Sequence, residues 1–466
     1  MAAFIKKYVG DKDFYLRVLK ISLPLVIQQL LLNTFSVIDS IMVGSIYRGV
    51  AGVGIGSQIS MVVMTVVFGI NTGMGIYIAQ FFGAKQKDNL KRTFALGTSL
   101  STFFLVLVSA LIIIFPGFFV GIFSSDPEVT TLAISYIRIA AFSYLMNGLT
   151  FGFAVAYRNI QKTKTPLYIS FISSGLNILL NYLLIYGIGP FPELGVQGAA
   201  IATVISVGAG FIAHIIYGYA SHQPFMPTLK SYQQALRVDF MKPLLKRMLP
   251  LMINELFFSI GTSIYVIFIN NLGSDAYEGY RIAENINNVI VSMIVGMSIS
   301  VQALIGESLG RKDVDQANKY ANWFLFLGFI LAIFVGGIAL IFAPLFVSLF
   351  NNSSEVVNSN AIKVMQVYSL KLFLRVFIVL MYAAFRAGGD SKYVMFLDSG
   401  IVWMVGIPVA LIASKLLNIT DVGIFFLILQ IEGLARIIIG MPHYQKRTWL
   451  KNLTEEVNLE EEKDGL

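Results

Sequence analysis

Long apolar segments separated by short polar ones constrain this chain more strongly than any other feature of its sequence. The first segment, residues 21–43, holds about 23 residues, and about 20 apolar residues in a helix cross the ~30 Å hydrocarbon core of a bilayer. Glycine, proline and charged clusters delimit eleven further segments of this kind. These are residues 50–82, 93–115, 128–156, 166–187, 195–219, 246–271, 276–308, 321–343, 358–384, 393–414 and 421–441. Since a backbone in lipid must satisfy its own polar groups, we predict an all-α integral membrane protein with twelve transmembrane helices.

The composition excludes most soluble classes of protein. Hydrophobic residues make up 56% of the chain and charged residues only 13%, about half the charged share of a typical soluble protein. The absence of cysteine excludes disulfides and thiolate metal sites, and three scattered histidines offer no metal site. Neither a G-x-x-x-x-G-K-[ST] motif nor an H-E-x-x-H motif occurs. We therefore expect no enzymatic activity, no cofactor, and an ion gradient as the source of energy.

Lysine and arginine are distributed unevenly between the predicted loops. On one set of alternate loops and termini lie 26 of them, whereas the opposite set holds only Arg48 and Lys415. Cytoplasmic loops of membrane proteins carry the excess of positive residues. We therefore predict a multi-pass protein of the inner (plasma) membrane of the cell, with both termini in the cytoplasm. This topology accounts for the net charge of +8, so no nucleic-acid partner is expected.

Short motifs recur at a nearly constant offset along the chain. The sequence LPL at residues 23–25 recurs at residues 249–251. Arg158 recurs as Arg386 at almost the same offset. Because each half contains six predicted helices, both copies start on the same side of the membrane, so the repeats are parallel. Transporters with such repeats place the substrate path at the repeat interface, and we predict two six-helix lobes around a central cavity.

The repeat and the polar segments divide the chain into four predicted parts. Residues 1–220 form an N-terminal six-helix lobe, 221–243 a cytoplasmic linker, 244–445 a C-terminal six-helix lobe, and 446–466 an acidic cytoplasmic tail. From residue 454 onward the tail lacks apolar periodicity, so we expect it to be solvated and disordered.

The run Gly52-x-Gly54-x-Gly56 lies in an apolar segment with no strand before it, so we expect close helix packing rather than nucleotide binding.

One group of polar residues in the first half is a candidate ion site. A charged side chain inside a bilayer is costly and by default marks function, and Asp39 is the only carboxylate predicted within the first bundle. From the helical rise per residue, Asn177, Asn181 and Thr203 lie at about the same depth. Such a set of groups can bind Na⁺ at Asp39 or hold a proton there. The alternative is a hydrogen-bonded cluster that only joins helices.

The second half contains more intramembrane charges. The candidates for a substrate-binding surface are Glu255, Arg281, Glu284, Lys371 and Arg375, which include one excess cation. Two arrangements are open. In the first, Arg375 forms a structural ion pair with Glu255, and Lys371 forms another with the carboxylate at position 284. In the second, the cations face the cavity and disfavour purely cationic cargo.

Two further charged residues, Glu432 and Arg436, lie four residues apart near the inner end of the last predicted helix. Opposite charges at this spacing share one face of a helix and attract each other. We expect this pair to have a structural role.

Several motifs carry a family resemblance. They are residues 38–44 (IDSIMVG), 51–54 (AGVG) and 79–84 (AQFFGA), with residues 157–166 and 385–390 after helices 4 and 10. Over residues 14–447 the chain resembles multidrug and toxic compound extrusion (MATE) transporters of the prokaryotic DNA-damage-inducible branch. The resemblance implies a twelve-helix antiporter that exports amphipathic drugs or toxic organic compounds in exchange for H⁺ or Na⁺. Its partners would be small-molecule substrates and membrane lipid, and it would act as a monomer.

The resemblance also assigns roles to individual residues. Asp39 matches the coupling carboxylate of helix 1, Asn177 an asparagine of helix 5, and Thr203 a hydroxyl of helix 6. Asn181 departs from the pattern, since many relatives have a second carboxylate there, so Asp39 would have to couple alone. The alternative function is a flippase for a lipid-linked precursor, from the wider superfamily, in which a cationic cavity would meet phosphate.

Overall fold

The computed structural model describes residues 7–350 and 354–464, and side chains up to residue 458. Twelve helices in these ranges are long and apolar enough to span a membrane, which confirms the predicted all-α membrane fold. They are α1 (Lys12–Gly44), α2 (Gly49–Gly83), α3 (Lys87–Ile114), α4 (Pro127–Asn159), α5 (Lys164–Tyr186), α6 (Gly195–Ala220), α7 (Val238–Asn270), α8 (Ser274–Gly310), α9 (Val314–Ile341), α10 (Glu355–Ala387), α11 (Ser391–Leu416) and α12 (Val422–Lys446). Much of α11, between Phe396 and Leu416, has π-helical hydrogen bonding.

Two helices begin earlier than their hydropathy predicts. The helix α1 begins at Lys12 and α7 at Val238, nine and eight residues before the predicted starts. Charged residues in these first turns hid them from a search for apolar segments. A capping signal was nevertheless present, because a carboxylate oxygen of Asp11 accepts from the backbone N–H of Phe14 at 2.7 Å.

The internal repeat extends to the backbone. Lys12 and Val238, which begin α1 and α7, are separated by the same offset as the two LPL motifs. The short helices Pro116–Gly121 and Ala343–Ser348 follow that offset to within one residue. So do Lys85 and Lys312, which both have left-handed backbone angles, with φ of 59° and 64°. Each half therefore repeats its helices, its short connecting helix and its turn geometry.

The chain folds into two compact units whose boundaries differ from the predicted domains. The first unit is Leu23–Leu245, and the second unit contains Lys246–Asn458 together with the chain up to Ser22. Residues 221–243 belong to the first unit rather than to a separate linker. Phe225 in this segment is fully buried, with its ring 5.0 Å from that of Phe94 and 4.9 Å from that of Tyr157.

The prediction of a disordered tail was wrong for its described part. Leu453–Asp464 forms a helix, and Leu453 and Val457 on one face of it are buried in the second unit. Glu456 pairs with Arg247 at 2.9 Å and with Lys246 at 3.5 Å. Two apolar residues four positions apart and complementary charges hold this helix, a signal too small for composition to reveal.

Small residues allow the helices of each unit to pack closely, as expected where lipid removes the hydrophobic drive for helix association. A Cβ atom at Gly52 would lie 2.8 Å from Leu132, and one at Gly56 would lie 2.4 Å from the ring of Tyr136. The packing role predicted for this glycine run is therefore confirmed at those two positions. No atom lies within 4 Å of such a Cβ at Gly54.

Candidate ion-coupling site

Asp39 of α1 lies partly buried among amide groups of α5. Asn181 donates from its side-chain nitrogen to the carboxylate of Asp39 at 2.7 Å. The amide of Asn177, one turn away, lies 3.0 and 3.2 Å from the two carboxylate oxygens of Asp39. Because an ionised carboxylate only accepts hydrogen bonds, the nitrogen of Asn177 faces it, and the amide oxygen accepts from Ser206 at 3.2 Å. Three of the four predicted site residues therefore come together.

The oxygen of Asn181 is the one unsatisfied acceptor of this group. The residue is only 2% exposed, and its side-chain oxygen has no hydrogen-bond donor in the described part of the chain. A buried polar atom without a partner costs about 1 to 3 kcal/mol. The acceptor lies on the side chain that already donates to Asp39, so a turn of this amide would bring an oxygen to a protonated carboxyl or a small cation there.

Thr203 does not contact Asp39, unlike the other predicted site residues. Its hydroxyl donates to the backbone oxygen of Ala199 in its own helix at 2.9 Å. Ser206, three residues further on α6, contributes the hydroxyl that contacts the amides. This residue was missed, although its spacing from Thr203 places both on one face of the helix.

Tyr136 of α4 is a second residue that the sequence did not reveal. It is 9% exposed, with its hydroxyl within hydrogen-bonding reach of Thr203 and Ser57 and within electrostatic range of Asp39. The lack of a side chain at Gly56 makes room for its ring. Thr203 therefore joins the site through Tyr136, and only the packing of α2 against α4 shows this.

The oxygen and nitrogen atoms around Asp39 limit which ion fits. In the described part of the chain, no group of three or more histidine and carboxylate side chains could hold a metal ion. A Na⁺ ion would have the carboxylate of Asp39 and the free oxygen of Asn181 as ligands. The amide nitrogens that face Asp39 suit the bare carboxylate and would have to turn away to give a cation more oxygen ligands.

Four acids within the membrane helices of the second unit, in contrast, are each paired with an arginine. Glu432 accepts from Tyr265 and pairs with Arg436 at 2.6 Å, which confirms the predicted i,i+4 pair. Arg436 also pairs with Asp398 at 3.5 Å. The offset of the LPL repeat relates Tyr265 to Asp39 and Glu432 to Ser206, so the equivalent layer of the second unit has its acid on a different helix.

Of the two arrangements left open for Lys371 and Arg375, the one with ion pairs to Glu284 and Glu255 is not formed. Glu255 is paired instead with Arg386 at 3.4 Å. Glu284 is paired with Arg281, three residues away, at 3.2 Å. The sequence did not reveal the partner of Glu255, because the tilt and register of α7 against α10 decide which arginine faces it, and the hydropathy pattern encodes neither.

Comparison with known proteins agrees with this architecture. The profile of the MatE family matches residues 24–183 and 250–412, two segments whose starts are separated by the offset of the internal repeat. The chain is 25% identical over 421 residues to a probable multidrug resistance protein NorM of Thermotoga maritima, covering 87% of each chain. It is 27% identical over 414 residues to a probable multidrug resistance protein YoeA of Bacillus subtilis, covering 86% of this chain and 87% of the other.

The fold is also that of a solved transporter. The crystal structure of the Vibrio cholerae MATE transporter VcmN in its bent form superposes with a TM-score of 0.83 at 17% identity. The superposition covers 94% of this chain and 99% of that one. Two matched repeats, twelve membrane helices and these relatives together define a multi-pass inner-membrane protein. The chain belongs to the MatE family of multidrug efflux transporters.

Proposed function

We propose that this transporter exports its substrates in exchange for protons and that Asp39 is the residue that carries the proton. The surroundings of Asp39 are the observation behind this proposal. Two asparagine amides contact its carboxylate, and no cation lies within 4 Å of it in the described residues. A charge buried without a counter-ion costs free energy that protonation removes.

The two protonation states of Asp39 favour different hydrogen bonds between α1 and α5. The ionised carboxylate accepts from Asn177 and Asn181. The protonated acid has an O–H to donate, and the unsatisfied oxygen of Asn181 becomes an acceptor for it when the amide turns over. If the inward-open and outward-open states each prefer one of these arrangements, proton binding shifts the equilibrium between them and thereby drives export.

Sodium is the second candidate ion, favoured by the same free oxygen of Asn181. Hard cations in proteins are surrounded by several oxygen ligands. With both amide nitrogens turned toward Asp39, the site offers fewer oxygens than such an ion needs. We therefore favour the proton.

Reconstituted vesicles test both the residue and the ion. Dye efflux is measured with an imposed pH gradient and, separately, with an imposed Na⁺ gradient. We expect the wild type to respond to the pH gradient and Asp39→Asn to bind dye but lose the response. Asp88→Asn is the matched control, because the side chain of Asp88 is 93% exposed. Full gradient-driven efflux by Asp39→Asn would refute the role of Asp39, and efflux driven only by Na⁺ would identify sodium as the ion.

A further inference from the structure

Two cations in the middle of α10 have no carboxylate within ion-pair distance in the described part of the chain. Lys371 and Arg375 lie four residues apart, so their side chains share one face of the helix, and both are partly exposed. Lys371 is sixteen residues from the start of α10 at Glu355, a distance of about 24 Å along the helix. Charges so far from both ends of a membrane helix are costly and by default mark a functional site.

Four carboxylates of the surrounding helices are already paired. Glu255 is held by Arg386, and Glu284 is held by Arg281. Arg436 holds the two acids at positions 398 and 432. Within the described residues, no carboxylate oxygen lies within 4 Å of Lys371 or Arg375. The ammonium nitrogen of Lys371 lies 5.9 Å from the centroid of the Tyr368 ring.

Acids on three other helices of the second unit lie within electrostatic range of the two cations. Lys371 is within this range of Glu432 on α12. Arg375 is within the same range of Asp398 on α11 and Glu284 on α8. Both cations therefore lie near charged groups of the second unit.

The neighbouring helix α8 presents a polar face that is also exposed. Arg281, Asn285 and Asn288 recur every three or four residues along it, and all three are exposed. Exposed polar side chains at membrane depth line a water-filled space, because lipid would leave their hydrogen bonds unmet. The two cations of α10 and this face of α8 therefore belong to one hydrated surface of the second unit.

Two positive charges on this surface lack an ion pair. Arg281 pairs with Glu284, and Arg436 pairs with Asp398 and Glu432, whereas no ion pair within the described residues includes Lys371 or Arg375. We infer that Lys371 and Arg375 form an anion-binding subsite that receives the carboxylate or phosphate group of an exported amphipathic compound. The guanidinium of Arg375 offers paired donors that match either group, and Lys371 adds a point charge.

This inference rests on the proposed export function and names its substrate class as anionic or zwitterionic amphipathic compounds. It is tested by binding, which needs no ion gradient. The full-length protein in phosphatidylcholine nanodiscs is titrated with two rhodamine dyes that differ only in a free carboxylate or its methyl ester. We expect the wild type to bind the carboxylate dye more tightly. Lys371→Gln and Arg375→Gln should each weaken that binding about tenfold and leave binding of the ester unchanged.

Several controls separate this outcome from misfolding. Binding of the ester dye shows that a variant is folded, and Lys371→Arg should keep the preference for the carboxylate dye. Lys319→Gln, at an exposed lysine of α9, should change neither dye. Equal binding of both dyes by the wild type, or equal losses for both dyes in the glutamine variants, would overturn the subsite.

The source of the anion is distinguished by competition. Displacement of the carboxylate dye by inorganic phosphate supports a soluble anion as ligand. If phosphate does not displace the dye but the dye binds more weakly in phosphatidylglycerol nanodiscs than in phosphatidylcholine nanodiscs, the ligand is a lipid headgroup. The Asp39→Asn variant should keep the preference for the carboxylate dye over the ester, because the subsite does not include Asp39. If that variant keeps gradient-driven efflux, the coupling proposal fails while the subsite stands.

Discussion

Arg386 of α10 donates to the carboxylate of Glu255 of α7 at 3.4 Å, and the first unit contains a neutral copy of this contact. There, Arg158 of α4 donates to the side-chain oxygen of Gln28 of α1 at 3.1 Å. The offsets from Gln28 to Glu255 and from Arg158 to Arg386 match that of the LPL repeat to within two residues. Each unit thus joins equivalent helices through an arginine, whether the acceptor is an acid or an amide, which indicates a structural role for Glu255.

Glu255→Gln should therefore retain gradient-driven efflux, because Gln28 shows that an amide accepts this contact. Glu255→Ala should leave Arg386 unpaired in a largely buried place and lower the free energy of unfolding by about 3 kcal/mol. Thermal unfolding in detergent measures the second effect and vesicle efflux the first. A well-folded Glu255→Gln protein that no longer couples efflux to the gradient would mean that the second unit holds the coupling acid.

Asn181→Ala should impair coupling without abolishing substrate binding. It removes the hydrogen bond of 2.7 Å to Asp39 and the free acceptor together. Because a hydrogen bond to a charged group contributes about 1.5 to 3 kcal/mol, we expect at least about tenfold slower gradient-driven efflux. Initial rates in vesicles give the effect, with Asn89→Ala in the first turn of α3 as the amide control. Wild-type rates for Asn181→Ala would leave the amides with only a packing role.

Gly56→Ala should destabilise the first unit, whereas Gly54→Ala should not. A Cβ atom at Gly56 would lie 2.4 Å from the ring of Tyr136, but one at Gly54 would meet nothing within 4 Å. Overpacking of this kind costs about 1 to 3 kcal/mol, and displacement of Tyr136 should also slow efflux. Thermal unfolding of the two variants gives the comparison. Equal stabilities would show that α2 and α4 are less closely packed than the structure has them.

Single cysteines should label from opposite sides according to the charge distribution. The natural chain has no cysteine, so each introduced thiol is the only one. Cysteines introduced at the exposed positions Lys87, Lys162 and Gln233 should react only from the cytoplasm. A cysteine introduced at the exposed Ser125 should react only from outside. Labelling by a membrane-impermeant maleimide in intact cells and inverted vesicles measures this. If the cysteines at positions 125 and 87 reacted from the same side, α3 would not cross the membrane.

Docking of the tail helix should weaken in acid. Although burial raises the pKa of Glu456, the hydrogen bonds and charges of Arg247 and Lys246 outweigh it, so the pKa lies below its ordinary 4.5. Because the pKa of Glu456 is lower in the docked state, the ionised carboxylate stabilises docking above pH 4.5. This stabilisation is lost as the pH falls through the lowered pKa. Proteolysis of the tail as a function of pH measures this. The tail of the Glu456→Gln protein should be cleaved at a rate that does not change over this pH range. An equal increase in the cleavage rate of both proteins would refute the role of Glu456.

The sequence alone predicted the number of helices and the internal repeat. It also predicted that Asp39, Asn177 and Asn181 lie at the same depth in the membrane. These features depend on local rules. A bilayer of fixed thickness sets the length of each apolar segment, and a constant rise per residue sets the depth of a side chain within it. The same rules failed where polar first turns preceded an apolar segment, as at Lys12 and Val238.

The partners of the charged residues were decided only by the tertiary structure. Arg375 and Arg386 lie on one face of α10, about three turns apart, so the sequence offered two arginines that could face Glu255. Which of them does so depends on where α7 begins and how the two helices tilt and rotate, and hydropathy encodes neither. The positions of Ser206 and Tyr136 at the site were also decided by the tertiary structure. Several side chains lie at a similar depth in the membrane, and the close packing of helices through small residues decides which of them are in contact.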